Sequence, residues 1–575
     1  LPAVAVVAAA LARFPEWVVA VLAVPATLWF PGRGFARLLG DDPLARAIDA
    51  VWISAVLAVP AVVLAAWTGG SGWTVLAVAT AFAVAGAALP AHLARPLDAR
   101  ARVGAVAVML AVAAVAVDWR GAIARPLERH WWHRVADEGF AGEVDPGFGW
   151  LERARIGGAW RLVPKNPEPY LIGPVTGTVM LVLRGPVGAT LTAGDAVARV
   201  EADVVEDPAE GPVPRYLARG AVALPFTSAA VAGEQIPLRL SHPDESVLYV
   251  VPDTDALWEL HGRGELRFVH YYQLLNMVEQ VRWANELFGE RRVTDVQPPL
   301  WSYVAAAPLG LTGGDLPTQS VLFLLLLVPV GLAGVACVRA WAPAAPLGAW
   351  LLPAGACAEH AKLLLEPGSV GMPDTLYTFA ILGVVGGVAA HDRRYGAQAL
   401  LAQLSRYPGA LVAAIAGLLA GEPARVGRML AGVLLVAALF GVGGLLSGSL
   451  DGWLATVWWE TGPEHWHGET DPAVLLGRAP GFWATWIGYA GFLPVLAAAR
   501  WPKGTRIALG TALLYSCLLA TIDHRPSHYF LPLVHLSAVA GACTAAAGGP
   551  ILRVGVPLLG LLGLWGAYTS VPVTG

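Results

Sequence analysis

The chain has 575 residues, 56% of them hydrophobic and only 14% charged, with a mean hydropathy of +0.58. This is too apolar for a soluble protein of its length. With a net charge of −4 and no Lys/Arg run resembling a nucleic-acid patch, no nucleic-acid partner is expected. All four cysteines (Cys337, Cys357, Cys517, Cys543) lie in apolar segments, so disulfides and Cys-ligated zinc are not expected either.

No cleavable signal pattern opens the chain at Leu1, and Ala3 to Phe30, interrupted by Arg13-Phe-Pro-Glu16, reads as one span or a broken one. Apolar stretches follow at about 48–67, 73–93 and 103–117. The loops Arg33 to Arg46 and Arg95 to Arg102 are rich in Arg, whereas the Thr68 to Gly72 turn carries no charge. Positive loops stay in the cytoplasm, so these helices run out, in and out again. The polar segment beginning at Asp118 is then extracytoplasmic.

Within that segment, Asp118 to Gly149 is rich in Arg, His and Trp and has no clean period. From Trp160 onward short β-branched runs alternate with turn signals: Gly177 to Leu183, Ala189 to Thr192, Ala196 to Val205, Gly220 to Leu224, Ile236 to Leu240 and Val247 to Val251. That spacing predicts an all-β sandwich of roughly 100 residues. The run GTVMLVLRGPVGATLTAGD, then LARGAVALPFTSAAV and IPLRLSHPDESVLYVVP, resembles a PA14-type β-domain, which implies glycan binding; a structural cap over the membrane part is the alternative.

After the insert, His270 to Phe288 repeats apolar residues at a period near 3.6, which predicts an amphipathic helix on the membrane surface. Gln297-Pro-Pro-Leu-Trp301 then returns the chain to the bilayer as an extended entry turn, since Pro donates no backbone hydrogen bond. Later spans are expected at about 318–337, 346–362, 373–390, 429–447, 481–499, 505–522, 528–547 and 552–570. This places Arg339, His391 to Arg406, Arg500 to Arg506 and Arg553 on cytoplasmic turns. Pro408 to Ala420 falls short of the ~20 residues of a span and reads as a cytoplasmic or half-inserted helix.

The Tyr-bearing helix, short basic loop, PPLW re-entry and Gly-Leu turn resemble the first extracytoplasmic loop of GT-C class glycosyltransferases. That class includes the protein O-mannosyltransferases and the lipid A aminoarabinose transferase. The stretches EPGSVGMPDTLYTFAILGVVGG and TIDHRPSHYFLPLVHLSAVAGA resemble the class's outer helix opening with Asp and its late outer loop. The resemblance covers roughly residues 265–550 and implies transfer of a sugar from a polyprenyl-phosphate donor. One departure stands out: the class usually carries Asp-Glu just before the Tyr-bearing helix, and this chain has Glu265-Leu-Arg-Phe-Val-His270 there. Asp118 is then the substitute carboxylate, or His270 or Glu265 fills the role, or the chain has lost transferase activity.

The fold class expected is thus an α-helical polytopic membrane protein of about 11 to 13 spans with an inserted extracytoplasmic all-β sandwich. Its parts are residues 1–117, an insert over 118–264 and a core over 265–575. Ionisable groups at membrane depth usually mark a site. The candidates are Asp118, His270 and Asp374 around the acceptor, with Arg525, His524, His528 and Lys362 on the donor phosphate. His465 and His467, two apart between Glu464 and Glu469, are candidates for a divalent metal, although interfacial His and Trp are the commoner explanation. No other cofactor is called for. The partners implied are a polyprenyl-phosphate sugar, a glycan, lipid or protein acceptor, and the bilayer of an inner or plasma membrane. The alternatives are a glycolipid flippase and a non-catalytic glycan-binding scaffold.

Overall fold

A computed structural model describes residues 2–14, 16–68, 72–90, 95–124, nine strands with adjoining turns between 151 and 252, 300–309, 316–365, 373–389, 394–406, 408–447, 472–520 and 527–570. Six helices come first: α1 Pro2–Leu11, α2 Glu16–Leu28, α3 Phe30–Ala36, α4 Pro43–Trp67, α5 Gly72–Ala87 and α6 Ala99–Ala124. The opening apolar stretch is therefore broken, as Arg13-Phe-Pro-Glu16 suggests. After the strands come α7 Leu300–Leu309, α8 Leu316–Trp341, α9 Leu352–Leu365, α10 Asp374–Ala389, α11 Arg394–Ser405, α12 Gly409–Leu419 and α13 Pro423–Ser447. The chain closes with α14 Pro472–Tyr489, α15 Leu493–Ala497, α16 Lys503–Leu519, α17 Leu531–Ala547 and α18 Pro550–Ser570.

Five of these helices are long and apolar enough to cross a membrane, and four shorter ones are strongly apolar. The protein is a helical membrane protein by this measure. One apolar cluster runs from Val24 to Leu564 and joins most of the helices, while α13 and α18 keep rows of exposed Leu, Val and Ile, as a lipid-facing helix would.

The helix ends are tied by charge at one end of the bundle. Asp42 caps α4, accepting from the Leu44 N–H at 3.2 Å, and Asp98 caps α6, accepting from the Ala101 N–H at 2.9 Å. Arg339, in the last turn of α8, reaches both carboxylates at 2.6 and 3.0 Å. Arg95 pairs with Asp41, and Arg394 at the start of α11 pairs with Asp49 of α4 at 2.9 Å. Lys503 lies 6.0 Å from the Trp341 ring. The Arg-rich turns at 33–46, 95–102, 339 and 500–506 thus gather at one end.

Arg406 is a correction. Its expected place was the same turn as His391, yet it lies at the opposite end of α10, 2.6 Å from Asp374. Glycine explains how. A Cβ at Gly383 would stand 2.5 Å from the Gln398 side chain, and one at Gly387 would stand 2.9 Å from the Tyr395 backbone, so α11 packs antiparallel along α10. The chain then reverses at Arg406-Tyr-Pro-Gly409, where a Cβ on Gly409 would come within 2.2 Å of the Ala402 backbone. The Gln403 side chain accepts from the Ala410 N–H at 2.8 Å, and the Tyr395 hydroxyl donates to the Ala413 carbonyl at 2.7 Å. The result is a helical hairpin, α11 running toward the Asp374 end of α10 and α12 running back. Its arms of 12 and 11 residues are each about 17 Å long at ~1.5 Å per residue, roughly half a bilayer core.

A second difference concerns the helix expected at about 481–499, which is two pieces. Gly491 (φ +57°) and Phe492 (φ +62°) break it, because Gly491 packs against the Gly563 backbone of α18, where a Cβ would come within 2.3 Å.

Nine strands lie between Leu151 and Pro252 among the described residues, in sheets of order β1-β2, β3-β8-β5-β6 and β7-β4-β9. They are β1 Leu151–Ile156, β2 Ala159–Pro164, β3 Tyr170–Ile172, β4 Thr178–Arg184, β5 Thr190–Ala193, β6 Ala196–Arg199, β7 Ala221–Thr227, β8 Gln235–Leu240 and β9 Val247–Pro252. Of the expected run at Ala196 to Val205, Ala196–Arg199 is strand, and residues 201–205 lie outside the described residues. The β1–β2 hairpin was not anticipated, although its Gly157-Gly158 loop is a two-residue turn signal. These strands do not establish the sandwich as a unit. The amphipathic helix expected at His270 to Phe288 and the re-entry at Gln297 to Pro299 lie outside the described residues; α7 follows directly, with Trp301 fully buried.

Candidate functional site

At the end of α10 away from Arg339, five elements bring together polar side chains that the apolar core should exclude. Asp374 opens α10, where the helix N-terminus favours a carboxylate. The hairpin tip delivers Arg406, one of whose terminal nitrogens donates to Asp374 Oδ2 at 2.6 Å. A 3-10 turn at Ser527–Phe530 brings His528, whose Nε2 stands 4.0 Å from the same oxygen. Phe530 fixes that turn by stacking on Phe482 of α14 at 4.5 Å between centroids. Tyr529 lies under the Arg406 guanidinium at 5.2 Å and packs edge-on against His528.

Asp374 and His528 are buried, and the Arg406 side chain is only 17% exposed. Salt bridges this deep carry a desolvation cost that only full hydrogen bonding offsets. Here it is incomplete. Asp374 Oδ1 and Arg406 Nε have no hydrogen-bond partner among the described residues, nor has the Tyr377 hydroxyl. Buried polar atoms are almost always satisfied in native proteins, so orphans at one spot point to a ligand or water that completes them.

Helix α9 supplies the next layer. Glu359, His360 and Lys362 are all buried near its end. The Lys362 ammonium sits 5.0 Å from the Tyr568 ring of α18. His360 Nδ1 lies 3.0 Å from His535 Nε2 on α17, and His360 Nε2 lies 3.2 Å from the Thr375 hydroxyl.

Of the expected residues, the structure brings Asp374 and His528 together and sets Lys362 at the same end of the bundle. Asp118 lies on α6, but its side chain is outside the described residues, as are His270, His524, Arg525, His465 and His467. Among the described residues no three His, Cys, Asp or Glu side chains converge to hold a metal ion. Sequence reasoning missed Arg406, His535 and Tyr377. The signal for Arg406 was present: a Tyr-Pro-Gly turn between two helices each too short to span. No local signal marks His535, which meets His360 across 175 positions.

No family model, curated protein or solved structure matches this chain. The functional reading therefore rests on the chemistry of the site.

Proposed function

We propose that the chain is an integral membrane glycosyltransferase. It takes a sugar from a polyprenyl-phosphate donor and passes it to a hydroxyl of a glycan, lipid or protein at the extracytoplasmic face of an inner or plasma membrane. In this reading about 11 to 13 helices span or enter the bilayer, the Arg-rich end is cytoplasmic, and the strands form a PA14-like sandwich outside. The observation that carries it is the buried Asp374–Arg406 pair, with one oxygen and one N–H that have no partner among the described residues.

Those two atoms divide the chemistry. Asp374 Oδ1 accepts the proton of the acceptor hydroxyl, whose oxygen bonds to the anomeric carbon as the bond from that carbon to the phosphate oxygen breaks. The electron pair leaves on the phosphate, where the planar Arg406 fork, always charged, stabilises it. Lys362 and His528, with Arg525 and His524 from the adjoining loop, complete the donor site. Asp118 and His270 serve the acceptor, and His465 and His467 offer the only metal position the reading contains.

A flippase for the same glycolipid is the second reading, favoured by the helical hairpin, since broken helices at membrane depth recur in transporters. One experiment separates the two. The protein in liposomes, given radiolabelled polyprenyl-phosphate sugars and an envelope extract as acceptor, should transfer label. Arg406→Ala should bind donor at least tenfold more weakly, on the scale of about 1.5–3 kcal/mol for a charged hydrogen bond, and Arg406→Lys should restore only part. Label moving between leaflets without transfer would replace the enzyme with the flippase.

A further inference from the structure

The cations at the Arg339 end of the bundle fall into two groups. One group is neutralised in place: Asp41, Asp42, Asp49 and Asp98 pair with Arg95, Arg339 and Arg394, and Glu422 lies 3.6 Å from Arg425. The other has no carboxylate to meet. The turn 498–502 between α15 and α16, the turn 548–549 between α17 and α18, and the helix starts that follow them carry Arg500, Lys503, Arg506 and Arg553. The described residues from Pro472 to Ser570 contain no Asp or Glu. All four cations are exposed. Arg500 donates to the Ala547 carbonyl at 3.3 Å and Lys503 lies 6.0 Å from the Trp341 ring. Arg506 and Arg553 make no side-chain hydrogen bond or ion pair among the described residues.

Hydrogen bonds hold the two turns together. The buried Thr544 hydroxyl of α17 donates to the Ala497 carbonyl at 2.9 Å and stands 2.9 Å from Thr505 Oγ1 of α16, while Arg500 ties the second turn to the first. Like charges on turns fixed in this way repel one another. No carboxylate in the first turn of α16 or α18 offsets them or the positive helix ends they adjoin, whereas Asp42 and Asp98 do so for α4 and α6. An anion from outside the chain removes that cost.

The surroundings say which anion. Residues His528–Ala547 and Pro550–Thr569 are each long and apolar enough to cross a membrane, so the turn between them lies at a membrane surface. Trp501 is 48% exposed beside Arg500, at the level where Trp meets lipid headgroups. From the Arg553 turn an exposed apolar row, Ile551, Val554, Leu558, Leu562 and Trp565, runs along one face of α18. A cationic patch thus heads a strip of hydrocarbon-facing side chains.

We infer that the two turns bind an anionic phospholipid of the adjoining leaflet, with Arg500, Lys503, Arg506 and Arg553 around its phosphate and its acyl chains along the exposed row of α18. A free phosphate would meet the same cations but gain nothing from the row. The site needs only the helical bundle and its charges and is independent of glycosyl transfer.

The test uses the full chain in detergent micelles supplied with equal amounts of phosphatidylglycerol and phosphatidylcholine, the bound lipid being counted by native mass spectrometry. A cation at a charged membrane surface contributes about a fivefold preference, so the wild type should retain phosphatidylglycerol at least about twentyfold over phosphatidylcholine. Arg506→Gln with Arg553→Gln removes no described hydrogen bond or ion pair, so the fold should survive while the preference drops about fivefold or more. Adding Arg500→Gln and Lys503→Gln should abolish it. Arg95→Gln with Arg339→Gln, taken from the neutralised group, should keep it. Equal retention of the two lipids by the wild type would overturn the site, as would an equal loss in the Arg95, Arg339 variant, which would reduce the preference to net charge. Displacement of phosphatidylglycerol by millimolar inorganic phosphate would replace the lipid with a soluble anion.

Discussion

The two ends of the helical bundle use the same residue types to opposite effect. At one end Arg339, Arg95 and Arg394 pair with Asp42, Asp98, Asp41 and Asp49, and two of those carboxylates also cap helices. Most of these groups reach solvent, and their oxygens serve backbone and guanidinium together. At the other end Asp374 and Arg406 are withdrawn from water and, among the described residues, leave an oxygen and an N–H without a partner. The first arrangement fixes helix ends; in the proposed reading the second serves donor and acceptor. Removing a charge should therefore cost stability at both ends but function at only one.

The sharpest way to break this contrast is to delete Arg406. Arg406→Ala leaves Asp374 buried without its cation, and losing one partner of a buried pair costs about 3–5 kcal/mol. The unfolding midpoint in detergent should fall accordingly. The double variant Asp374→Asn, Arg406→Gln should regain most of that stability, because no uncompensated charge remains, yet should regain no donor binding. Recovery of binding along with stability would make the pair structural, like those at the opposite end.

Arg394→Ala tests the Arg-rich end at its most buried point. Asp49 is inaccessible, but Arg394 is about a fifth exposed and the Trp52 indole keeps donating to Asp49 at 2.9 Å. The expected loss is therefore smaller, about 1.5–3 kcal/mol, with donor affinity per folded molecule unchanged. A change in affinity would mean that the α11–α12 hairpin transmits to its tip.

Gly409→Ala asks whether the tip must be where it is. The added methyl meets backbone rather than a flexible side chain, so the turn itself has to open, at about 1–3 kcal/mol for overpacking. Donor binding should fall more than stability does, since Arg406 moves with the turn. Equal losses in both would detach the hairpin from the site.

These contrasts also explain what was legible in the amino-acid sequence. Helices such as α4, α8, α17 and α18 could be read within a few residues because apolar length and flanking charge determine them. Strands β4, β8 and β9 followed from β-branched runs between turns. Arg406 was misplaced because His391 to Arg406 was read as a single turn, whereas α11 occupies Arg394–Ser405 and carries Arg406 to the far end of α10. Lys362, Asp374 and His528 could be singled out because a lone ionisable residue beside an apolar run is conspicuous. The His360–His535 contact depends on how α9 lies against α17, and no period or spacing encodes that. Helix breaks at Gly491-Phe492 escaped for a similar reason: the left-handed turn is imposed by Gly563 of a helix some seventy residues later.

The smallest effect should come from Arg339, although it bridges two carboxylates. Its side chain is 31% exposed and its partners Asp42 and Asp98 are 38% and 47% exposed. Water and salt screen such charges, and exposed pairs contribute roughly 0–1 kcal/mol. Both aspartates also keep their capping bonds to Leu44 and Ala101 when the guanidinium is removed. Arg339→Ala should therefore shift the unfolding midpoint by no more than a degree or two, less still at high salt, and leave donor affinity untouched. A loss comparable to that of Arg406→Ala would show that number of contacts outweighs burial, and the distinction drawn between the two ends would fall.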